Sequence, residues 1–343
     1  MDGELINCKI YIRDIRERWI INFRLFFIIV KKVGFMKKRK NVIQKKIKRY
    51  IPIYLMLVPG FIYLLINNYI PMVGIIIAFK DVDFSVGILK SEWVGFENFE
   101  YLFKTPDAFV ITRNTLLYNA AFIIVNLVFG VLFAIILSEI QSKITKKIYQ
   151  TIILLPYMIS MVIVSYLVYA FLSSDTGFLN QVLSFFGLEH ISWYSSPKYW
   201  PVILIIVNCW KNVGYGTIIY LSSILGIDRS LYEAASVDGI TKIQEIFYIT
   251  IPMIKPTIIT MILLNVGRIF YTDFGLFYQV PMNSGALLDV TNTIDTYVYR
   301  GLITLGDIGM SSAAGVYQSV VGFMMIMLAN YLTRKYSREN ALF

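Results

Sequence analysis

The chain has 343 residues, of which 57% are hydrophobic and 16% are charged. Soluble globular domains carry about 25% charged residues, so this composition excludes an ordinary soluble domain and indicates a protein that crosses the membrane several times. The formal net charge is +10, but the basic residues concentrate ahead of the first apolar segment. There they set topology and attract anionic lipid, so we expect a lipid bilayer as a partner and no nucleic acid.

Six segments are long and apolar enough to span a membrane, which takes about 20 mostly apolar residues. They cover residues 52–79, 114–138, 149–172, 201–225, 253–277 and 311–332. The sequence therefore predicts an all-α membrane protein with six transmembrane helices and both termini on one side. We divide it into a basic N-terminal segment (1–50), a six-helix domain (51–333) and a C-terminal tail (334–343).

Two features near the N-terminus leave alternatives open. Residues 1–35 are either an interfacial amphipathic helix or an extension ahead of a start at Met36. The first span contains Pro71, and breakers of this kind are tolerated in membrane helices that have protein neighbours. We expect a kinked helix against a partner, the alternative being a helical hairpin that turns at Asn67.

Lysine and arginine place the termini and alternate connections in the cytoplasm by the positive-inside rule. Eight basic residues precede the first span within residues 37–49, and others follow spans two, four and six. The outer connections are poorer in lysine and arginine for their length. Residues 1–50, the connection 227–252 and the tail 334–343 are therefore predicted to be cytoplasmic.

The fourth span carries polar residues on one helical face. Asn208, Lys211, Asn212 and Tyr215 follow each other at helical spacing. A cation at the bilayer centre costs about 2.5–3.5 kcal/mol even on a lenient insertion scale. We therefore expect this face to line a water-filled cavity or to contact a partner.

The connection 227–252 predicts a short helix with a small-residue face, a turn and a second helix. Glu233, Ala234 and Ala235 are followed by Gly239, which can take the positive φ of a sharp turn. Nine residues later the chain reads Ile249–Pro252, and proline suits the first turn of a helix better than its interior.

The fifth span is expected to place Asn265, Arg268 and Thr272 on one face, with Arg268 at a depth similar to Lys211. Two interpretations remain open for the cations: a direct or water-mediated role near a substrate path, or a structural role as an interhelical salt bridge, with Asp273 as the nearest acceptor, or by snorkelling. Aromatic rings near these faces suit sugar stacking. The candidate substrate path comprises Asn208, Trp210, Lys211, Asn212, Tyr215, Asn265, Arg268, Tyr271 and Asp273.

No catalytic or metal-binding constellation is visible in the sequence. There is one histidine, the two cysteines (Cys8 and Cys209) are isolated, and no G-x-x-x-x-G-K-[ST] phosphate loop occurs. We expect a non-catalytic chain without a cofactor of its own. Energy for transport must come from another subunit or from an ion gradient.

Several motifs carry a resemblance to a known family. The spacing of Glu233, Ala234, Ala235, Asp238 and Gly239 resembles the cytoplasmic coupling loop of ATP-binding-cassette (ABC) importer permeases. Residues 95–99 and 113–115 look like the external segment of sugar-type members. Strings similar to the polysaccharide or aldouronate-type permeases occupy residues 210–214, 273–281, 295–299, 306–310 and 339–343.

The resemblance implies a type I importer fold, in which those five coupling residues dock into an ATPase subunit. It implies a heterodimeric pore in a bacterial cell membrane, formed with a second homologous permease. Two ATPase subunits would bind ATP and Mg, and an extracellular lipoprotein or periplasmic sugar-binding protein would deliver an oligosaccharide. Transport would proceed by alternating access.

Two other classes were weighed. An ion-coupled secondary sugar transporter needs titratable carboxylates at the midplane, and Asp273 is the one candidate. A membrane glycosyltransferase needs an acidic metal or donor site, for which Asp81 and Asp83 are the nearest pair. Neither class has further support in the sequence.

Overall fold

The structure, a computed structural model, describes the backbone of residues 40–336 and the side chains of residues 50–51 and 53–334. The predictions for residues 1–35 and 337–343 lie outside it. The described chain forms two compact units that divide between Val73 and Gly74. Its α-helices of four or more residues are α1 (Lys40–Leu64), α2 (Glu97–Lys104), α3 (Pro106–Glu139), α4 (Lys143–Met158), α5 (Met161–Leu172), α6 (Phe178–Phe185), α7 (Trp200–Leu225), α8 (Arg229–Val237), α9 (Lys242–Glu245), α10 (Ile251–Val266), α11 (Leu288–Thr291), α12 (Ile294–Arg300) and α13 (Ile308–Tyr336).

In the first unit, the first span stays helical throughout. A π-helix, Leu65–Tyr69, follows α1, and the backbone dihedral angles stay right-handed helical up to Pro71 and beyond. Asn67 Nδ2 donates to the carbonyl of Tyr63 at 3.0 Å, as a residue inside a helix does. The alternative of a hairpin turning at Asn67 is therefore wrong.

Near its start the second unit contains a small hairpin, in which β1 (Lys80–Asp81) pairs antiparallel with β2 (Glu92–Trp93). Lys80 is 2% exposed and donates to three carbonyls of the hairpin loop. The lysine therefore closes the hairpin, which leads into α2 and the long helix α3.

The third span is broken. The helices α4 and α5 meet at an angle of 95°, with a break between Met158 and Met161. Pro156 lies in the last turn of α4, and Ser160 caps α5 by accepting from the backbone N–H of Ile163 at 3.4 Å. A single continuous helix over 149–172 is therefore wrong. With the bent pair counted as one span, the predicted six spans are confirmed.

The centre of the second unit is α7, which packs against α3 and α4. A Cβ at Gly214 would overlap the carbonyl oxygen of Ile153, so glycine alone permits this close approach. Trp200, at the start of α7, is fully buried. The surrounding core contains Tyr118, Phe122, Val164, Leu204, Val207, Leu276, Phe277, Val280 and Leu287.

The fifth span is shifted relative to its prediction. Its helical path begins at α9, passes through a π-helix (Ile246–Thr250) and ends with α10 at Val266. The predicted continuation to residue 277 is wrong, because residues 267–273 leave the helix. A further π-helix, Gly275–Gln279, follows them. Short helices α11 and α12 then lead to α13, the sixth span.

Candidate functional site

The predicted coupling loop folds as a separate short helix, α8, between the fourth and fifth spans. Asp228 caps its start by accepting from the backbone N–H of Ser230 at 3.0 Å. These hydrogen bonds hold the pKa of Asp228 below its usual value, so the cap stays charged at neutral pH. The charge also suits the positive end of the helix dipole.

The end of α8 explains the need for glycine. Gly239 has φ +72°, and its N–H donates to the carbonyl of Ser236 at 3.2 Å. The N–H of Ile240 donates to the carbonyl of Ala235 at 3.1 Å. Together these bonds form a Schellman motif, in which a left-handed residue satisfies the last carbonyls of the helix.

Side chains from four elements hold this loop in place. The hydroxyl of Tyr232 on α8 lies 3.1 Å from the hydroxyl of Thr250 on the neighbouring π-helix. Lys242 on α9 forms a salt bridge with Glu245 at 3.0 Å and a longer one with Glu139, at the end of α3, at 3.6 Å. The loop is therefore linked to the end of the second span and to the start of the fifth.

The predicted coupling residues fall into two groups. Ala235 is buried, 4% exposed, and packs the helix inward. Glu233, Ala234, Asp238 and Gly239 are exposed. The loop therefore exposes small and acidic residues, with one buried alanine behind them, and their docking to an ATPase remains a prediction.

Lys211 is buried within the helices, 9% exposed. Its ammonium donates to the carbonyls of Pro156, Tyr157 and Ile159, at 3.4, 3.3 and 2.5 Å. These carbonyls lie where α4 ends and the third span bends. A cation at a helix C-terminus is favoured by the helix dipole. These contacts support the alternative in which Lys211 holds helices together, and its role in a substrate path remains a prediction.

The other polar residues of α7 connect to α3. Asn208 is buried, and its Oδ1 accepts from Asn126 Nδ2 at 2.8 Å. Asn212 Nδ2 donates to the carbonyl of Asn208 at 3.1 Å. Asn126 Oδ1 is buried and has no hydrogen-bond partner among the described residues, which leaves an acceptor on this polar face.

Two aromatic residues of the candidate path are exposed on α7, but only Tyr215 lies on this polar face, because the helical repeat places Trp210 on the opposite side of the helix. Tyr215 is 49% exposed and stacks on Tyr157, with ring centroids 5.2 Å apart and planes 16° apart. Trp210 is 43% exposed. A flat, accessible ring such as that of Tyr215, on the same helical face as amide side chains, is typical of sugar-binding sites.

The remaining candidates lie at the end of the fifth span, but not on one helical face as predicted, because α10 stops at Val266. Asn265, Arg268 and Tyr271 are exposed. Asp273 Oδ1 accepts from the backbone N–H of Leu276 at 3.2 Å. No salt bridge joins Asp273 to Arg268 within the described residues.

The structure adds residues that stabilise this break. Asn119 Nδ2 donates to the carbonyls of Ile269 and Tyr271, at 2.8 and 3.1 Å. Gln318 Nε2 donates to the carbonyl of Phe270 at 2.6 Å. Helix breaks inside membranes persist only where protein groups satisfy the freed backbone. Isolated amides within apolar spans were the available signal in the sequence.

Six helical spans, with a short capped helix between the fourth and fifth, are the architecture of an integral membrane permease. Residues 108–338 match the family described as "Binding-protein-dependent transport system inner membrane component". The chain belongs to this family, which confirms the resemblance to ABC importer permeases. The comparisons give no support to the ion-coupled alternative.

Individual relatives are similar in sequence to this chain over most of its length. The polygalacturonan/rhamnogalacturonan transport system permease protein YteP of Bacillus subtilis (strain 168) is 36% identical, covering 88% of this chain and 94% of that protein. LplB of the same organism is 36% identical, covering 84% and 90%. A solved structure of a bacterial ABC transporter involved in import of the acidic polysaccharide alginate has a TM-score of 0.79 and 34% identity, covering 87% and 100%.

Proposed function

We propose that this chain is one of two membrane-spanning subunits of an ATP-driven importer that moves an oligosaccharide into a bacterial cell. The observation that carries the proposal is α8, an exposed and doubly capped helix between two spans, in a chain of the binding-protein-dependent family. The nature of the relatives, whose names refer to polygalacturonan, rhamnogalacturonan and alginate, supports an oligosaccharide as cargo.

The chain supplies the pathway and its partners supply the energy. Two ATPase subunits bind ATP and Mg and contact the exposed face of α8, through Glu233, Ala234, Asp238 and Gly239. A second homologous permease forms the other half of the pore. An extracellular lipoprotein or periplasmic binding protein delivers the sugar, as in the solved alginate transporter complex with its oligosaccharide-bound periplasmic protein.

The substrate path follows the polar face of α7 and the break after α10. Asn212 and Tyr215 supply hydrogen bonds and stacking from one side. From the other side come Arg268 and Tyr271. Sugar hydroxyls need such paired donors and acceptors when water is excluded, and the break exposes both kinds of group.

Reconstitution tests this function directly. The chain, its second permease, the ATPases and the binding protein are placed in liposomes and offered labelled oligogalacturonides. We expect uptake that requires ATP and the binding protein and that is unaffected by ionophores. Uptake driven by an imposed proton or sodium gradient without ATP would contradict the proposal.

Orientation is a separate prediction. In a background with Cys8 and Cys209 replaced by serine, single cysteines are introduced at the exposed positions Ser85, Ser195 and Ser236. An impermeant thiol reagent added to intact cells should label the first two. It should label Ser236→Cys only after the membrane is opened, because α8 faces the cytoplasm. Labelling of that position in intact cells would reverse the proposed orientation.

A further inference from the structure

Arg300 ends α12 in the connection between the fifth and sixth spans, and the transport path described above does not use it. Its Nε donates to Asn283 Oδ1 at 2.9 Å, and its Nη1 donates to Asn292 Oδ1 at 2.7 Å. Its Nη2 is buried and has no hydrogen-bond partner among the described residues. The guanidinium is therefore held through Nε and Nη1, and its Nη2 is left without an acceptor among the described residues.

No carboxylate neutralises this cation. Within the described residues, the salt bridges do not involve Arg300. Asp295, on the same helix, is occupied elsewhere, since it accepts from Thr272 at 2.7 Å and from Gln318 at 3.0 Å. Burial lowers the pKa of Arg300, but arginine remains charged in proteins. This half-buried charge thus has no counterion among the residues that the structure describes.

Aromatic rings lie against the guanidinium. Its central carbon is 5.6 Å from the ring centroid of Tyr278. Tyr278 stacks on Phe274 at 4.9 Å, and Tyr299 packs against both rings at 4.6 and 5.1 Å. Tyr299 is 37% exposed, so one ring of this group is open to the outer side.

The backbone is arranged to hold the guanidinium. Asn283 has φ 49°, a left-handed conformation that asparagine adopts more readily than other non-glycine residues, and its Oδ1 accepts from Arg300. Asn292 is fixed on the other side, where its carbonyl accepts from Asn114 Nδ2 at 2.9 Å. Two positioned amides therefore orient the guanidinium.

We infer that Arg300, with the rings of Tyr278 and Tyr299, forms a subsite that binds the carboxylate of a uronic acid residue in the transported oligosaccharide. The free guanidinium tip pairs with the carboxylate, and the rings stack on the sugar. Movement of the exposed Tyr299 ring opens the way to Nη2. The inference rests on the proposed function and assigns an acidic substrate class to it.

The test is uptake by the reconstituted complex of two sugars of equal size, a trigalacturonate and its neutral methyl ester. Each is first shown to saturate the binding protein. For Arg300→Gln we expect uptake of the acidic sugar to fall at least about tenfold, with the ester unaffected. Arg300→Lys keeps the charge but lacks the planar guanidinium and its paired N–H donors. The loss of acidic-sugar uptake should therefore be smaller than in Arg300→Gln.

Arg113→Gln is the matched control. Arg113 lies in the same region, but its Nη2 is already hydrogen-bonded to the carbonyl of Asp289 and to Asn114 Oδ1. Its replacement should affect both sugars equally.

Four outcomes overturn the inference. Equal losses of both sugars in Arg300→Gln would assign it a structural role, and no loss would assign it none. Import of neutral oligosaccharides alone by the unmodified complex would overturn the acidic subsite and leave the proposed function intact. Import of no oligosaccharide would contradict the proposed function itself, and the subsite with it.

Discussion

Gly239→Pro is expected to abolish ATP hydrolysis that is stimulated by the sugar-loaded binding protein. Proline cannot adopt φ +72° and lacks the N–H that bonds to Ser236. The loss of the cap and its bonds costs on the order of 2–4 kcal/mol. A helix as short as α8 is marginal without its caps, so the docking face should lose its order. The measurement is phosphate release by the reconstituted complex.

The chain contains its own control for this substitution. Gly187, at the end of α6, has φ +68° and forms the same pair of cap bonds, to Ser184 and from Leu188 to Leu183. Gly187→Pro breaks an identical motif on the predicted outer side and should leave ATP hydrolysis stimulated by the sugar-loaded binding protein in place. Equal losses of this stimulated hydrolysis at the two sites, or normal stimulation in Gly239→Pro, would show that α8 does not transmit the signal.

Glu233→Ala separates docking from folding. Alanine is the best helix former, so α8 should remain intact while one exposed charge is removed. We expect stimulated hydrolysis to fall while the complex still assembles, since most of the subunit surface lies elsewhere.

Lys211→Met is expected to destabilise the chain by about 2–4 kcal/mol. Methionine has a similar length and removes the cost of burying an ammonium group. It also leaves the carbonyls of Pro156, Tyr157 and Ile159 without their donor, in a region where water cannot replace it. We judge the second effect to be larger. The measurement is the thermal unfolding midpoint of the purified complex.

Arg268→Met is the comparison for this prediction. Arg268 is also a cation near a membrane-spanning segment, but it is exposed. Its replacement should leave the unfolding midpoint almost unchanged and lower sugar uptake. If the two variants are equally stable, Lys211 does not hold the bend of the third span, and its assignment to the substrate path regains support.

The alternation of apolar segments and basic connections was sufficient to predict the class of fold. The bilayer imposes a minimum length of apolar sequence on every span. Such segments can therefore be recognised from hydropathy alone. The small-residue pattern ending in Gly239 also predicted a helix and turn, since a Schellman cap depends only on neighbouring residues. Orientation and coupling follow from the same local signals and stay predictions.

The two broken spans could not be read from hydropathy. Residues 149–172 and 253–277 are both long and apolar enough to be predicted as spans. The first segment nevertheless bends by 95°, and the helix in the second ends at Val266. In each case the freed carbonyls are satisfied by an amide or ammonium group on another helix. Such pairings depend on which helices become neighbours, and the sequence of one segment does not contain that information.

The sequence by itself determined that this chain has six membrane spans and a glycine-capped helix between the fourth and fifth, because both features depend on local composition and spacing. Tertiary structure alone decided what the polar residues do. Lys211 binds a carbonyl 52 residues earlier in the chain, and among the described residues Arg300 Nη2 has no partner while Asp295 is bonded to other residues. A buried polar group takes its role from the partners that packing brings within hydrogen-bond distance.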